Sequence, residues 1–159
     1  MTVVSTDLDR ANLTMTVVCE FEASVERVWQ VIADARTLER WWGPPTWPAT
    51  FTRHELEPGG ASRYYMTGPE GERAHGWWST VAVDAPNRLE VDDGFAGDDG
   101  EPLPDDEPMR MVFTLEGTGP RTRMTVRTTF ASKEQLTKVT EMGMEEGLRG
   151  ALGQIDDLL

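Results

Sequence analysis

The stretch from Phe21 to Pro44 constrains the fold more than any other part of the chain. It reads as a strand end, a capped amphipathic helix and a second short helix stopped by Gly43-Pro44. Ser24 is a natural N-cap, and Glu26 falls in the first turn, where the helix dipole favours negative charge. Val25, Val28, Trp29, Ile32 and Ala33 then recur at helical spacing and make one apolar stripe. Thr37 is expected to cap the second helix, whose last turn carries Trp41 and Trp42. A helix pair set between strands suggests a lid over one end of a sheet, and so a cavity.

Strand signals surround this unit. Leu13, Met15, Val17, Cys19 and Phe21 alternate with more polar neighbours, as a half-buried strand requires. Ala49 to Glu57 is expected to be a strand ended by Pro58-Gly59-Gly60, and Ser62, Tyr64 and Met66 share a face of the next. Gly68-Pro-Glu-Gly71 turns the chain into a strand from Ala74 to Val83, where tandem Trp77-Trp78 must place one indole on each face. Pro86-Asn87 leads into Arg88–Ala96. Later, Met109, Met111, Phe113 and Leu115 share a face, as do Thr122, Met124, Val126, Thr128 and Phe130 beyond a Gly117–Pro120 hairpin. About seven strands joined mostly by hairpins predict an antiparallel sheet.

Ser132 and Gln135 form a capping box that opens the last element. Helical spacing runs from Leu136 to Leu158, and one helix from Ser132 to Leu159, roughly 40 Å long, is expected to lie across the sheet. Gly143, Gly147 and Gly150 are unusual within it, since each costs about 1 kcal/mol relative to alanine. Close packing and space left for a ligand are the two explanations. Residues 1–11 read as a flexible start, and 12–159 as a single domain.

Charge narrows the function classes. The net charge is −13, with no basic stripe to neutralise phosphates, so nucleic acid and anionic membranes are not expected partners. Asp92-Asp93 and the proline-broken acidic run from Asp98 to Pro108 read as solvated surface and lack EF-hand spacing. No His-x-x-x-His or Cys-x-x-Cys pair suggests a metal, and neither a metal nor a cofactor is expected. The lone Cys19 sits in an alternating strand, which suits a buried core residue of a reduced, cytoplasmic protein.

The order of strand, helix pair, meander and long C-terminal helix resembles the α+β helix-grip domains of the START-like, or SRPBCC, superfamily. Within it the chain is similar to the family named for the activator of the heat-shock-protein ATPase. The resemblance rests on Phe21–Trp29, Leu38-Glu-Arg-Trp-Trp-Gly-Pro44, Glu57-Pro-Gly-Gly60, Met66–Gly71 and Gly76. Pro86-Asn-Arg-Leu89, Arg121–Val126 and Gly143-Met-Glu-Glu-Gly147 continue it in the family's order, from about residue 13 to the end. It implies a curved sheet gripping the last helix, with a cavity between. Lipid carriers, hormone receptors and polyketide cyclases or dehydratases share this superfamily, so fold alone does not choose a function. Ser62 stands where relatives often carry an aromatic, which would enlarge the cavity or give it a hydroxyl.

The expected cavity walls are Phe51, Tyr64, Met66, Trp78, Phe95, Met111, Phe113 and Met124 from the sheet, Trp41 and Trp42 at the mouth, and Met144 and Leu148 from the last helix. Of the groups that could move a proton, His54 and His75 are the candidates by residue type, since an unperturbed imidazole changes charge between about pH 5 and 8. Which face of strand 49–57 points inward is left open, because a bulge would reverse it. The leading expectation is a binding protein for a small apolar or aromatic molecule. An enzyme of the cyclase or dehydratase kind, using Tyr64, His54 or Glu55, is the second. A protein-interaction module with a chaperone partner, suggested by the family name, is the third, and Trp77 would allow a homodimer by sheet edge or face.

Overall fold

A computed structural model describes residues 3–159; residues 1 and 2 lie outside it. Among the described residues, eight antiparallel strands form one sheet. They are β1 (Val3–Asp9), β2 (Thr14–Phe21), β3 (Ala49–His54), β4 (Ala61–Thr67), β5 (Arg73–Asp84), β6 (Arg88–Ala96), β7 (Met109–Gly117) and β8 (Thr122–Thr129), in the spatial order β1-β2-β8-β7-β6-β5-β4-β3. Helices α1 (Val25–Ala33) and α2 (Ala35–Leu38) connect β2 to the far edge at β3, and α3 (Lys133–Glu141) and α4 (Met144–Leu152) close the chain before a final turn at Ile155–Leu158. The antiparallel α+β architecture is the one the hairpin signals predict.

Three local expectations are corrected and one open question is settled. Within the stretch read as a flexible start, Val3–Asp9 pairs with β2 as an eighth strand. None of its residues is fully buried, so an edge strand of this kind leaves no alternation to read. The second helix begins earlier than expected, because Asp34 is its cap: the Asp34 carboxylate accepts the Arg36 N–H at 3.2 Å, and the Thr37 hydroxyl donates to it at 2.8 Å. Strand β3 contains a register shift between Phe51 and Arg53, so Phe51 and His54 both reach the core side while Thr52 and Arg53 are exposed. The last correction is the C-terminal element, which is two short helices rather than one rod. Gly143 breaks it at φ +87°, a left-handed conformation that costs other residues about 1 kcal/mol or more.

The caps at Ser24 and Ser132 form as the sequence predicts. Ser24 accepts the Arg27 N–H, and Ser132 accepts the Gln135 N–H at 3.1 Å. The Gln135 side chain accepts from Ala131 N–H and donates to the Glu107 carbonyl, which ties α3 to the acidic loop.

The core lies between one face of the sheet and the helices. Met15, Val17, Cys19 and Phe21 of β2, Val126 of β8 and Leu89 and Val91 of β6 are buried there, against Val28, Ile32, Leu136, Val139, Leu152 and Ile155. Burial pushes the Cys19 thiol up to about 12, which leaves it protonated and inert. The other face carries cross-strand ion pairs, Arg110 with Glu90 and Asp92 at 2.6 Å and Arg123 with Glu20 at 2.8 Å. Trp77 covers Gly94 on that face while Trp78 is fully buried on the other, as the alternation requires. No helix among the described residues is long and apolar enough to cross a membrane.

The two glycines flanking the start of α4 should respond oppositely to alanine. Gly143→Ala should destabilise by about 1–2 kcal/mol, because its backbone is left-handed. Gly147→Ala, in the helix interior with open space beside it, should stabilise by about 0.5–1 kcal/mol. Urea unfolding of the two variants checks both signs.

Candidate functional site

Between the sheet and the C-terminal helices lies a pocket of about 220 Å³. Strands β4, β6 and β7 supply Tyr64, Met66, Asp93, Phe95, Met109 and Met111; Trp42 and Pro44 close one side, and Val139, Met142, Gly143, Met144, Gly147 and Leu148 cover it from the helices. Of the expected walls, Trp42, Tyr64, Met66, Phe95, Met111, Met144 and Leu148 meet here. A side chain at Gly147 would enter open space, and a Cβ at Gly150 would meet Pro44 and Pro45 at an ordinary 3.7 Å, so close packing does not demand a glycine at either position.

The other expected wall residues lie elsewhere in the core. Phe51, Trp78 and Phe113 form an aromatic layer behind the lining: Phe51 lies 5.0 Å from Tyr64 between ring centroids, and Trp78 lies 4.8 Å from Trp42 and 6.0 Å from Phe113. Trp41 is fully buried and donates its indole N–H to the Val31 carbonyl at 2.7 Å, holding the turn after α2 against α1. Met124 is fully buried on β8 and does not reach the pocket.

His54 and Ser62 hold structure together. The His54 Nε2–H donates to the Ile32 carbonyl at 3.0 Å, which leaves Nδ1 to accept the Ser62 hydroxyl at 2.9 Å. Burial lowers the His54 pKa and keeps the ring neutral. The pair pins the β3–β4 edge to α1, so the Ser62 hydroxyl is spent on His54 rather than given to a cavity. Glu55 is partly exposed and bonded to Arg53 at 3.0 Å, away from the pocket, and His75 packs beside Tyr65.

The residue that sequence reasoning missed is Asp93. On β6 the inward positions are Leu89, Val91, Asp93 and Phe95, so a carboxylate stands where the alternation calls for an apolar side chain. Its neighbour Asp92 faces out to Arg110, and adjacency to that exposed acid made both read as surface. Tyr64 reaches Asp93 by lying across β5 at Gly76. Tyr64 pairs with Gly76, and any side chain there would strike the phenol ring. The Tyr64 hydroxyl then donates to Asp93 Oδ1 at 3.0 Å.

Burial pushes the Asp93 carboxyl up to about 7, against the opposing pull of the Tyr64 hydroxyl and the Trp78 indole. Burial, and then the nearby Asp93, raise the Tyr64 phenol well above its usual range. The Trp42 and Trp78 indole N–H groups are buried without a hydrogen-bond partner, yet lie close enough to Tyr64 and Asp93 respectively to favour their ionised forms. The site is thus an apolar chamber with one titratable carboxyl at its polar end. Among the described residues, no three His, Cys, Asp or Glu side chains are grouped to hold a metal.

Because the folded chain keeps its Asp93 proton from the ordinary value of 3.8 up to about 7, stability is undiminished below that window. It falls as pH rises through the window and stays low above it, by up to about 4 kcal/mol. Asp93→Asn keeps an acceptor for Tyr64 and removes the titration. Urea unfolding should show the variant gaining on the wild type between pH 4.5 and pH 8; parallel pH profiles would contradict the buried-carboxyl account.

The comparisons agree with this fold. The family described as Activator of Hsp90 ATPase homolog 1-like protein matches residues 22–159. The chain is similar to protein Ms6760 from Mycobacterium smegmatis, at 44% identity and a TM-score of 0.91 over 99% of this chain and 96% of that one. It is also similar to a protein from Arthrobacter aurescens, at 53% identity and a TM-score of 0.93 over 98% and 90%. DynU16, from the dynemicin biosynthetic locus, shares the fold at 16% identity and a TM-score of 0.64, over 91% of this chain and 47% of its own. No curated protein matches the sequence. With the helix-grip layout, the ordered motifs and a family match over most of its length, the chain belongs to the activator of Hsp90 ATPase homolog 1-like family.

Proposed function

We propose that this protein binds a small, largely apolar or aromatic molecule in the pocket between sheet and helices, and carries, sequesters or senses it in the cytoplasm. The observation that carries this reading is the apolar chamber closed by Gly143 and Gly147, where side chains are withheld, with the Asp93–Tyr64 pair at its end. Its size favours a guest of one or two rings, since about 150 Å³ already houses benzene in an apolar cavity. Five methionines in the wall, Met66, Met109, Met111, Met142 and Met144, let it adapt to the shape of a guest. No cofactor is part of this proposal.

A cyclase- or dehydratase-like enzyme is the second reading, and it now rests on different residues. Tyr64 lines the pocket, whereas His54 and Glu55 do not. Asp93 titrates near neutrality, where a general acid or base works best. A chaperone partner and a homodimer remain proposals of lower rank.

Two measurements test the binding reading. Native mass spectrometry of the purified protein should detect a co-purifying small molecule, and 2-naphthol should bind with saturable fluorescence change. Gly147→Phe, which fills the open space beside α4, should weaken 2-naphthol binding at least tenfold while leaving the fold intact by circular dichroism. No retained molecule together with no binding of 2-naphthol would defeat the proposal.

A further inference from the structure

Among the described residues Asp93 is the only buried charged side chain, and no cation accompanies it. The contrast with its neighbours is sharp. Glu20, Glu90 and Asp92, on the opposite face of the sheet, each lie within 2.8 Å of an arginine. A buried carboxylate without a counter-charge is expensive, and proteins usually neutralise it or pair it.

The polar groups around Asp93 are all donors. Tyr64 O–H points at it, the Trp78 N–H lies near it, and the Trp42 N–H lies near the Tyr64 oxygen. Such surroundings favour negative charge at Asp93, yet they supply no positive charge to balance it. What the chamber lacks, a guest can bring. The walls suit the same guest, because the Trp42 and Tyr64 rings attract cations and the methionine sulfurs are polarizable. The overall charge of −13 raises the local concentration of cations.

We infer that the pocket takes a hydrophobic amine, a one- or two-ring molecule whose protonated nitrogen pairs with the Asp93 carboxylate while its rings fill the apolar chamber. This deepens the binding reading above and rests on it. The amine is bound, with no covalent step. Binding draws Asp93 into its ionised form, so near neutral pH it releases a proton.

Other titratable groups stand further off. From β4 only Tyr64 faces Asp93, and β5 and β7 bring Trp78, Met109 and Met111, which carry no charge. From α3, Lys138 lies over the Phe95 ring at 5.7 Å, and from α4, Glu146 lies beside Gly143; both are exposed and neither lines the pocket. The loop before β7 places Asp106 on the Phe95 N–H at 3.4 Å. The segment from Trp42 to Pro44 brings none.

The test compares 2-phenylethylamine with its neutral isostere 2-phenylethanol by isothermal titration calorimetry. Wild type at pH 8 should bind the amine at least tenfold more tightly than the alcohol, and at pH 5.5 the gap should shrink to less than twofold. At pH 6.5, titrations in two buffers of different ionisation enthalpy should show a proton released with the amine and none with the alcohol. Asp93→Asn should bind both probes alike. These wild-type readouts stand even if that variant folds poorly. Equal binding of the two probes by wild type at pH 8 would overturn the amine assignment and leave the apolar-pocket reading intact. So would alcohol binding that is tight at pH 5.5 and lost at pH 8, since Asp93 would then act as a neutral donor to an oxygen. Failure of both probes would overturn the amine assignment, and with failure of 2-naphthol and no retained molecule it would overturn both readings.

Discussion

A sheet of eight strands presents one wide apolar face, and everything else in this protein follows from how that face is covered. The helices supply the cover in short pieces. Helix α1 packs against β7 and α2 against β3, with Trp41 tying the second to the first. The last segment bends at Gly143, so α3 and α4 meet the sheet as two separate blocks. Where side chains from these blocks are missing, at Gly143 and Gly147, the cover is incomplete and a pocket remains. Packing density elsewhere in protein interiors leaves few such gaps.

The chemistry of the pocket comes from a single departure from the alternating pattern. Had position 93 been apolar, β6 would have presented a greasy face from Leu89 to Phe95, and Tyr64 would have no reason to cross β5. With Asp93 there, the strand spends stability to place a carboxyl in a low-dielectric chamber. Gly76 is part of the same arrangement, because only a residue without a side chain leaves room for the phenol above it. Three residues on three strands therefore act together, and their cost is the strongest physical sign of function in the molecule.

Much of the architecture was readable from residues alone. Period-two alternation located β2, β4, β7 and β8, the tandem Trp77-Trp78 divided correctly between faces, and the Ser24 and Ser132 caps marked their helices. What escaped had identifiable causes. Edge strand β1 buries no side chain fully, so it leaves no pattern. The break at Gly143 preserves helical spacing because both halves turn their apolar faces to the sheet, and only the glycine itself betrayed it. The β3 bulge placed His54 inward, but its partners, Ser62 and the Ile32 carbonyl, are 8 and 22 residues away and could not be guessed. Asp93 was visible in principle, as the odd member of the series Leu89, Val91, Asp93, Phe95. The exposed Asp92 beside it masked that signal.

The bend at Gly143 has a consequence for how such a protein diversifies. The strands that carry the sheet and the three residues of α4 that roof the chamber, Met144, Gly147 and Leu148, occupy different parts of the chain. Exchanges at these three positions would reshape the chamber while the strands beneath keep their register. Selection acting on the roof alone would let one ancestral shell enclose hollows of many shapes.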